Sequence, residues 1–426
     1  MKNIWTFHHY STPPSMSGLS RPHYFAKEIY KHGYNSVIFS SAYLHFTYEN
    51  LIKSDEKYIT HFEDNTETVF IKTKEYTDND SKRVVNMFSF MIRLFSVTKS
   101  FAAENGKPDL IIASSPHPFT VIAGIFIAKR YKVPCVCEVR DLWPETIFTV
   151  NPKNKNSLWG RALVIFEYWL YKHSDAIIFT KEGSVDYIKE HKWDKEQGGK
   201  IDIKKCYYIN NGIDIESFDA SIENDRLDDE DLLDDSVFNV VYTGTIRRAN
   251  NVENIIDAAV LLKDHKDIRF LVYGDGTESE RIKNRINSEN ITNVRMKGYV
   301  NKKYIPYVLS KSSVNLLNYF PGDRTRGSSS NKLFEYMASG KPVISNVKWG
   351  YCIIDRYDFG ISLEKSTPEA LAEVILSIKK MNKDEYNRLC NNARKGSIEF
   401  DFKTLAVRLI DTIQECEKKE NRNKHK

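Results

Sequence analysis

The chain has 426 residues, 41% hydrophobic and 28% charged, with six cysteines and a formal net charge of +5. That length and balance give two or three soluble globular domains and exclude disorder, collagen or coiled coil as readings of the whole chain. The cysteines are scattered, without the spacing or histidine partners of a zinc site or a disulfide framework, so a reducing cytoplasmic setting is expected.

The opening residues, MKNIWTFHHYSTPP, lack the long apolar core of a signal peptide. Short apolar runs then predict strands at residues 4–8, 36–39, 69–71, 110–113, 133–139, 176–179 and 206–209, with helical patterns at 22–32, 121–130 and 158–171 between them. Alternating β and α with near-continuous apolar strands predicts a parallel sheet covered on both faces. Residues 81–103 predict an amphipathic helix, apolar through Phe88, Met91 and Phe95 and studded with Lys82, Arg83, Arg93 and Lys99. Such a helix either lies on a membrane surface or packs in the core. Residues 110–128 carry no charge and are long enough to span a bilayer, but Ser114-Ser115-Pro116-His117-Pro118 interrupts them. They read as a strand, a turn and a helix, which puts His117 at a strand end. Arg140-Asp141-Leu142-Trp143-Pro144-Glu145 follows the next strand directly. Charged residues there sit at a cleft mouth, so Asp141 and Glu145 are candidates to orient substrate hydroxyls; the alternatives are a helix cap and an ion pair with Arg140.

Residues 223–235 hold eight acids and one arginine, fall between two halves and read as a solvated connector or surface loop. The α/β pattern then repeats, with strands expected at 239–242, 269–273, 294–297, 314–317 and 342–344 and helices at 252–263, 278–288 and 332–339. Three helices follow at 368–381, 383–395 and 402–418, and a basic tail, 418–426, carries five Lys/Arg and one Glu. Two tandem Rossmann-like, doubly wound domains are expected, with a cleft between them as the default active site.

Ser328 to Ile344, SSSNKLFEYMASGKPVI, is the most informative segment. Serine is a good helix N-cap and Gly340 a good stop. The free N–H groups at such a start, around Ser330, Asn331, Lys332 and Leu333, favour a phosphate. Glu335, one to two turns on, can accept hydrogen bonds from a ribose diol; otherwise it is an exposed glutamate on a capped helix. Gly244 follows an apolar strand, and Arg247 and Arg248 stand close behind it. Glycine permits close backbone approach, and arginine forks suit a pyrophosphate.

Phe334 to Ile344, FEYMASGKPVI, resembles the donor-site helix of the retaining glycosyltransferase family 4, whose fold is GT-B. Further matches fall in the family's order: Asn211-Gly212-Ile213-Asp214 with Phe218, Tyr242-Thr243-Gly244-Thr245, Tyr273-Gly274-Asp275-Gly276 and Lys297-Gly298-Tyr299-Val300. The segment around Asp141 resembles a subgroup that includes fucosaminyltransferases of bacterial O-antigen and capsule pathways. The resemblance implies an acceptor domain over 1–212, joined by the helix at 400–418, a donor domain over 213–399, and a basic tail at 419–426. It implies a nucleotide-sugar donor, UDP-linked, with a glycan or lipid-linked acceptor and peripheral contact with the inner membrane. It assigns donor binding to Gly18, Gly244, Thr245, Arg247, Arg248, Gly274, Tyr299, Val300, Ser328, Ser330, Asn331, Lys332, Leu333 and Glu335, and catalysis to His117, Asp141 and Glu145.

Two departures from the family pattern stand out. Thr245 and Asn250 occupy positions where many members carry an Arg and a Lys, and Gly327 replaces a glutamate that faces the donor sugar. The change at Gly327 fits a different sugar, such as a deoxy amino sugar, or weaker catalysis. No carboxylate pair marks a metal site, so no metal or other cofactor is expected, and the body lacks the basic excess of a nucleic-acid binder. A sugar-nucleotide epimerase of the same fold, or a non-catalytic subunit that holds a nucleotide sugar, stays open beside transfer.

Overall fold

The computed structural model describes every residue except Ser17, Asp78, Asn79, Asp80, Pro321, Asp323, His425 and Lys426, and only the backbone at Val150 and 420–424. The basic tail is therefore described only in part, as the end of a helix. The chain divides into two compact units, one of Met1–Asn210 with Phe402–Lys426, the other of Asn211–Asp401.

The first unit is built on eight strands: β1 (Lys2–Phe7), β2 (Tyr34–Ser41), β3 (Tyr58–Glu63), β4 (Thr66–Ile71), β5 (Leu110–Ser114), β6 (Cys135–Val139), β7 (Ala176–Phe179) and β8 (Cys206–Tyr208). Their order is β3-β4-β2-β1-β5-β6-β7-β8, and every neighbouring pair is parallel except β3 with β4. Alternate residues feed opposite faces, as strand geometry requires. Trp5, Phe7, Phe39 and Ile111 join Phe90, Leu94 and Val97 of helix Ser81–Asn105 on one side. Ile4, Leu110 and Ile112 meet Phe25 and Ile29 of helix Arg21–Tyr30, with Leu405, Leu409 and Ile413 of helix Phe402–Lys424, on the other.

β3 was not expected. Its residues are half-buried or exposed, so the apolar signal is weak. The turn is written locally, because Asp64 and Asn65 both take positive φ, the backbone of a tight hairpin. The amphipathic helix also differs from expectation. Met91 and Phe95 pack against the core, and the exposed apolar side chains are Val84, Val85, Phe88 and Ile92. Among the described residues, no helix is long and apolar enough to cross a membrane.

The second unit carries β9 (Phe238–Thr243), β10 (Ile268–Tyr273), β11 (Val294–Gly298), β12 (Val314–Leu317), β13 (Val343–Ser345) and β14 (Gly360–Ser362). All pairs are parallel, in the order β11-β10-β9-β12-β13-β14. That is the order of a Rossmann sheet, with the chain reversing direction between β9 and β12. Val240, Tyr242 and Phe270 face one core, and Val241, Leu271 and Tyr273 the other.

Of the two readings, connector or surface loop, the connector fails: the acidic run does not lie between the halves. It lies within the second unit and is pinned to the sheet's edge. Asp229 accepts from Lys297 at 2.6 Å and from the Tyr273 hydroxyl at 2.8 Å. Asp231 pairs with Lys297 at 2.7 Å and Arg269 at 3.4 Å, and Leu232, next in sequence, is buried. The carboxylates are matched by cations that β10 and β11 present, a pairing that a count of acids does not reveal.

Candidate functional site

In the second unit the site forms where β9 ends and helix Asn331–Ala338 begins. Ser330 holds the N-cap position, yet its side chain does not cap the helix. Tyr319 donates its hydroxyl to Ser330 Oγ at 2.5 Å, which turns the serine away. The N–H groups of Asn331 and Lys332 therefore lack a side-chain cap, and the helix start keeps its affinity for an anion. Asn211 supports the approach by donating to the Ser329 carbonyl at 2.7 Å.

Lys332 folds back from that helix onto the end of β9. Its ammonium lies 4.7 Å from the centre of the Tyr242 ring and 5.4 Å from that of Tyr319, and donates to the Tyr242 hydroxyl at 3.3 Å. Gly244 makes room for it: at φ 138° the glycine leaves a gap in which a Cβ would stand 3.0 Å from Lys332 Nζ. Gly274 serves the same turn from behind, since a Cβ there would meet the Gly244 carbonyl oxygen at 1.8 Å. Burial pulls the Lys332 ammonium down to about 8, with Arg247 adding to the effect and Glu335 opposing it. Glu335 is half-buried rather than exposed. Burial raises its carboxyl pKa against the pull of Lys302 and Lys332. Its carboxylate makes no hydrogen bond or ion pair among the described residues. One turn of helix and one strand end thus present a cation, bare N–H groups and an open carboxylate.

The remaining donor-side candidates divide. Arg247 is exposed, makes no ion pair among the described residues and lines a hollow of about 350 Å³ with Arg248, Glu253, Glu278, Arg281 and Phe320. Arg248 lies over the Phe320 ring at 5.5 Å. Thr245 and Asn250 are bonded to each other, Asn250 Nδ2 donating to the Thr245 carbonyl at 2.6 Å and to Oγ1 at 3.0 Å. Tyr299 is 75% exposed, while Val300 packs against the core. Ser328 is buried, and the Leu333 side chain lies in the core, which leaves only its backbone near a ligand.

In the first unit, polar groups gather at the carboxyl ends of β1, β5 and β6. His117, at the N-cap of helix Pro118–Tyr131, is fully buried and hydrogen-bonds His9 Nδ1 through Nε2 at 2.5 Å. Burial lowers its pKa to about 3, helped by His8 and Arg83, so the ring is neutral near pH 7. A neutral imidazole can orient a hydroxyl but is not an acid there. Asp141 and Glu145 are not drawn into this cluster: Asp141 pairs with Lys181 at 3.3 Å and Glu145 with Lys155 at 3.4 Å. The ion pair of Asp141 is thus with Lys181, in place of the Arg140 pair considered from sequence. Gly18 closes its own loop, because a Cβ would strike Thr12 Oγ1. Sequence reasoning missed His8, His9 and the Tyr242–Tyr319 cradle. His8-His9 directly after an apolar strand was the available signal. Among the described residues, no three His, Cys, Asp or Glu side chains are grouped to hold a metal.

The chain matches two family models: Glycosyltransferase Family 4 over residues 22–217 and Glycosyl transferases group 1 over residues 224–396. No curated protein matches it in sequence at a significant level. Among solved structures, it resembles the sucrose-phosphate synthase of Thermosynechococcus elongatus, with TM-score 0.70, 16% identity, and 97% and 99% of the two chains covered. It resembles Anabaena Alr3699/HepE in complex with UDP, with TM-score 0.66, 14% identity, and 97% and 100% covered. It also resembles WaaG, a glycosyltransferase involved in lipopolysaccharide biosynthesis, with TM-score 0.63, 13% identity, and 96% and 99% covered. At these identities the likeness concerns the fold, which is GT-B.

Proposed function

The chain belongs to the glycosyltransferases that the two matched domains define, and from that premise we propose that it moves a sugar from a UDP-sugar to a hydroxyl of a glycan or lipid-linked acceptor in surface polysaccharide assembly. The observation that carries the reading is Lys332, a cation pressed against Gly244 beside an uncapped helix start, with Glu335 open one turn away. The helix start and Lys332 hold the diphosphate, and Glu335 accepts the ribose hydroxyls. As the sugar–phosphate bond breaks, negative charge grows on the leaving diphosphate, where preorganised cations and N–H groups stabilise the transition state most. Arg247 adds a second cation to that end. The Anabaena protein whose fold this chain shares was solved with UDP-glucose, which favours UDP as the carrier.

The part WaaG plays in lipopolysaccharide biosynthesis and the exposed Val84, Val85, Phe88 and Ile92 favour an acceptor met at a membrane surface. Gly327 in place of the family glutamate fits a donor lacking a hydroxyl at that contact, such as a deoxy amino sugar. A thermal-shift series with UDP, GDP and dTDP tests the donor reading, because a ligand that binds the folded chain raises its melting temperature by mass action. UDP is expected to give the largest rise, and UDP-sugar turnover is expected to depend on an added acceptor. A larger rise with GDP, or turnover to an epimer without acceptor, overturns it.

A further inference from the structure

We propose that the polar cluster at the carboxyl ends of β1, β5 and β6 takes an oxyanion group of the acceptor, a phosphate or a carboxylate, on the guanidinium of Arg140. This rests on the transferase reading above and adds to it the chemical class of the acceptor. β1 lies between β2 and β5, so the chain reverses direction beside it, and ligands of such sheets bind at that point.

Three charged side chains meet there, and two of them are satisfied. Arg21 donates to Glu138 Oε1 at 2.8 Å and to the Ile209 carbonyl at 2.9 Å, and also reaches the Asn210 carbonyl. Glu138 Oε2 accepts from Ser114 at 2.7 Å. Both oxygens of the carboxylate are thus engaged, and Arg140 makes no hydrogen bond to it. The Arg140 Nη1 is shut from solvent with no hydrogen-bond partner. Asp141, next in sequence, is turned to Lys181. Two guanidinium groups face one buried carboxylate, with the exposed Asp141 adding a weaker attraction for Arg140, and the partly buried positive charge that remains is costly unless an anion completes it.

The neighbours are unfinished in the same way. His8 is fully buried with neither ring nitrogen bonded, and it lies beside Arg140. The Ser115 hydroxyl and His117 Nδ1 are buried without partners too. A guanidinium fork flanked by neutral donors suits a tetrahedral or planar oxyanion bearing hydroxyls.

The test titrates the full chain, saturated with UDP, with inorganic phosphate, glucuronate or glucose, and follows binding by calorimetry and by histidine ring NMR. At least one anion is expected to bind and to move the His8 resonances, while glucose does neither. Phosphate alone marks a phosphorylated or lipid-diphosphate acceptor, and glucuronate alone marks an acidic sugar. Arg140→Gln is expected to weaken the anion at least about tenfold, the loss of one charge-assisted hydrogen bond, with UDP binding unchanged. Arg140→Lys, which keeps the charge, is expected to bind with intermediate strength, and it replaces the glutamine variant in the comparison if that one fails to fold. Absence of anion binding, an unchanged affinity in the variant, or displacement of the anion by UDP overturns the proposal. A chain that binds no UDP refutes the donor reading instead, and the same anion titration on the free chain then decides this one.

Discussion

Replacing Lys332 with methionine separates a binding lysine from a structural one by the sign of two effects. In the free protein the ammonium has a pKa of about 8 in place of 10.5. That difference corresponds to roughly 3 kcal/mol spent holding the charge in the fold at neutral pH. Methionine keeps the apolar stem between Tyr242 and Tyr319 and removes the charge. Against the gain stands the lost attraction of the cation for the two rings, about 0.5–2 kcal/mol. The free variant is therefore expected to be more stable by about 1–2 kcal/mol, a rise of roughly 2–8 °C for a unit of this size. UDP binding moves the other way. A charge-assisted hydrogen bond to a phosphate contributes about 1.5–3 kcal/mol, so affinity should fall roughly 10- to 150-fold. Calorimetric titration with UDP and a melting curve of the free chain read both. A variant that melts lower and binds UDP as tightly as the parent makes Lys332 a packing residue and refutes the reasoning.

Glu335→Gln should weaken UDP by a similar factor, since the amide replaces an acceptor of ribose hydroxyls with a donor; unchanged affinity would remove the residue from the nucleotide site. The pH dependence has a definite sign. A lysine whose folded pKa is lowered makes the free chain more stable as pH rises from about 8 towards 10.5, because the unfolded chain then binds more protons. UDP affinity should decline over the same interval, and the decline should be absent in Lys332→Met. Serine at Val85, Phe88 and Ile92 together should release the protein from acidic liposomes at an unchanged melting temperature, because these side chains are exposed. Serine at Met91 and Phe95 should instead destabilise the fold by roughly 1–3 kcal/mol each, since both pack against the core; co-sedimentation and melting curves distinguish the two sets.

Strands buried on both faces, such as β5 and β6, announce themselves as unbroken apolar runs. β3 escapes because half its surface is wet, and β14 because three residues carry no period. At the site, the helix that follows the serine run is legible from its cap and stop residues. What Lys332 does is not, because Tyr242 stands 90 residues away and only the sheet brings it near. Thr245 and Asn250 can be seen to replace two cations, but their mutual bond is a fact of the turn. The acidic run misleads for a related reason: composition counts charges, and Arg269 and Lys297 decide what Asp229, Asp231 and Asp234 do.

The helix Phe402–Lys424 lies against β1, β5 and the helix Arg21–Tyr30, although it follows the whole second unit in the chain. Its place has a cost in time during synthesis. When Asn210 leaves the ribosome, the first sheet is complete, but Ile4, Leu110 and Ile112 with Phe25 of the first helix still lack the part of their cover that Leu405, Leu409 and Ile413 supply. Some 190 residues of the other unit must be translated first, which at about 5–20 residues per second takes roughly 10–40 s. Throughout that interval the nascent chain displays the uncovered part of that apolar face to chaperones and to its neighbours on the polysome. The unit of Asn211–Asp401 has no such wait. Its ends are tied by the Ile213 N–H to the Phe400 carbonyl at 2.9 Å, and it can close as soon as it emerges. The half of the molecule encoded first is thus the half that finishes folding last.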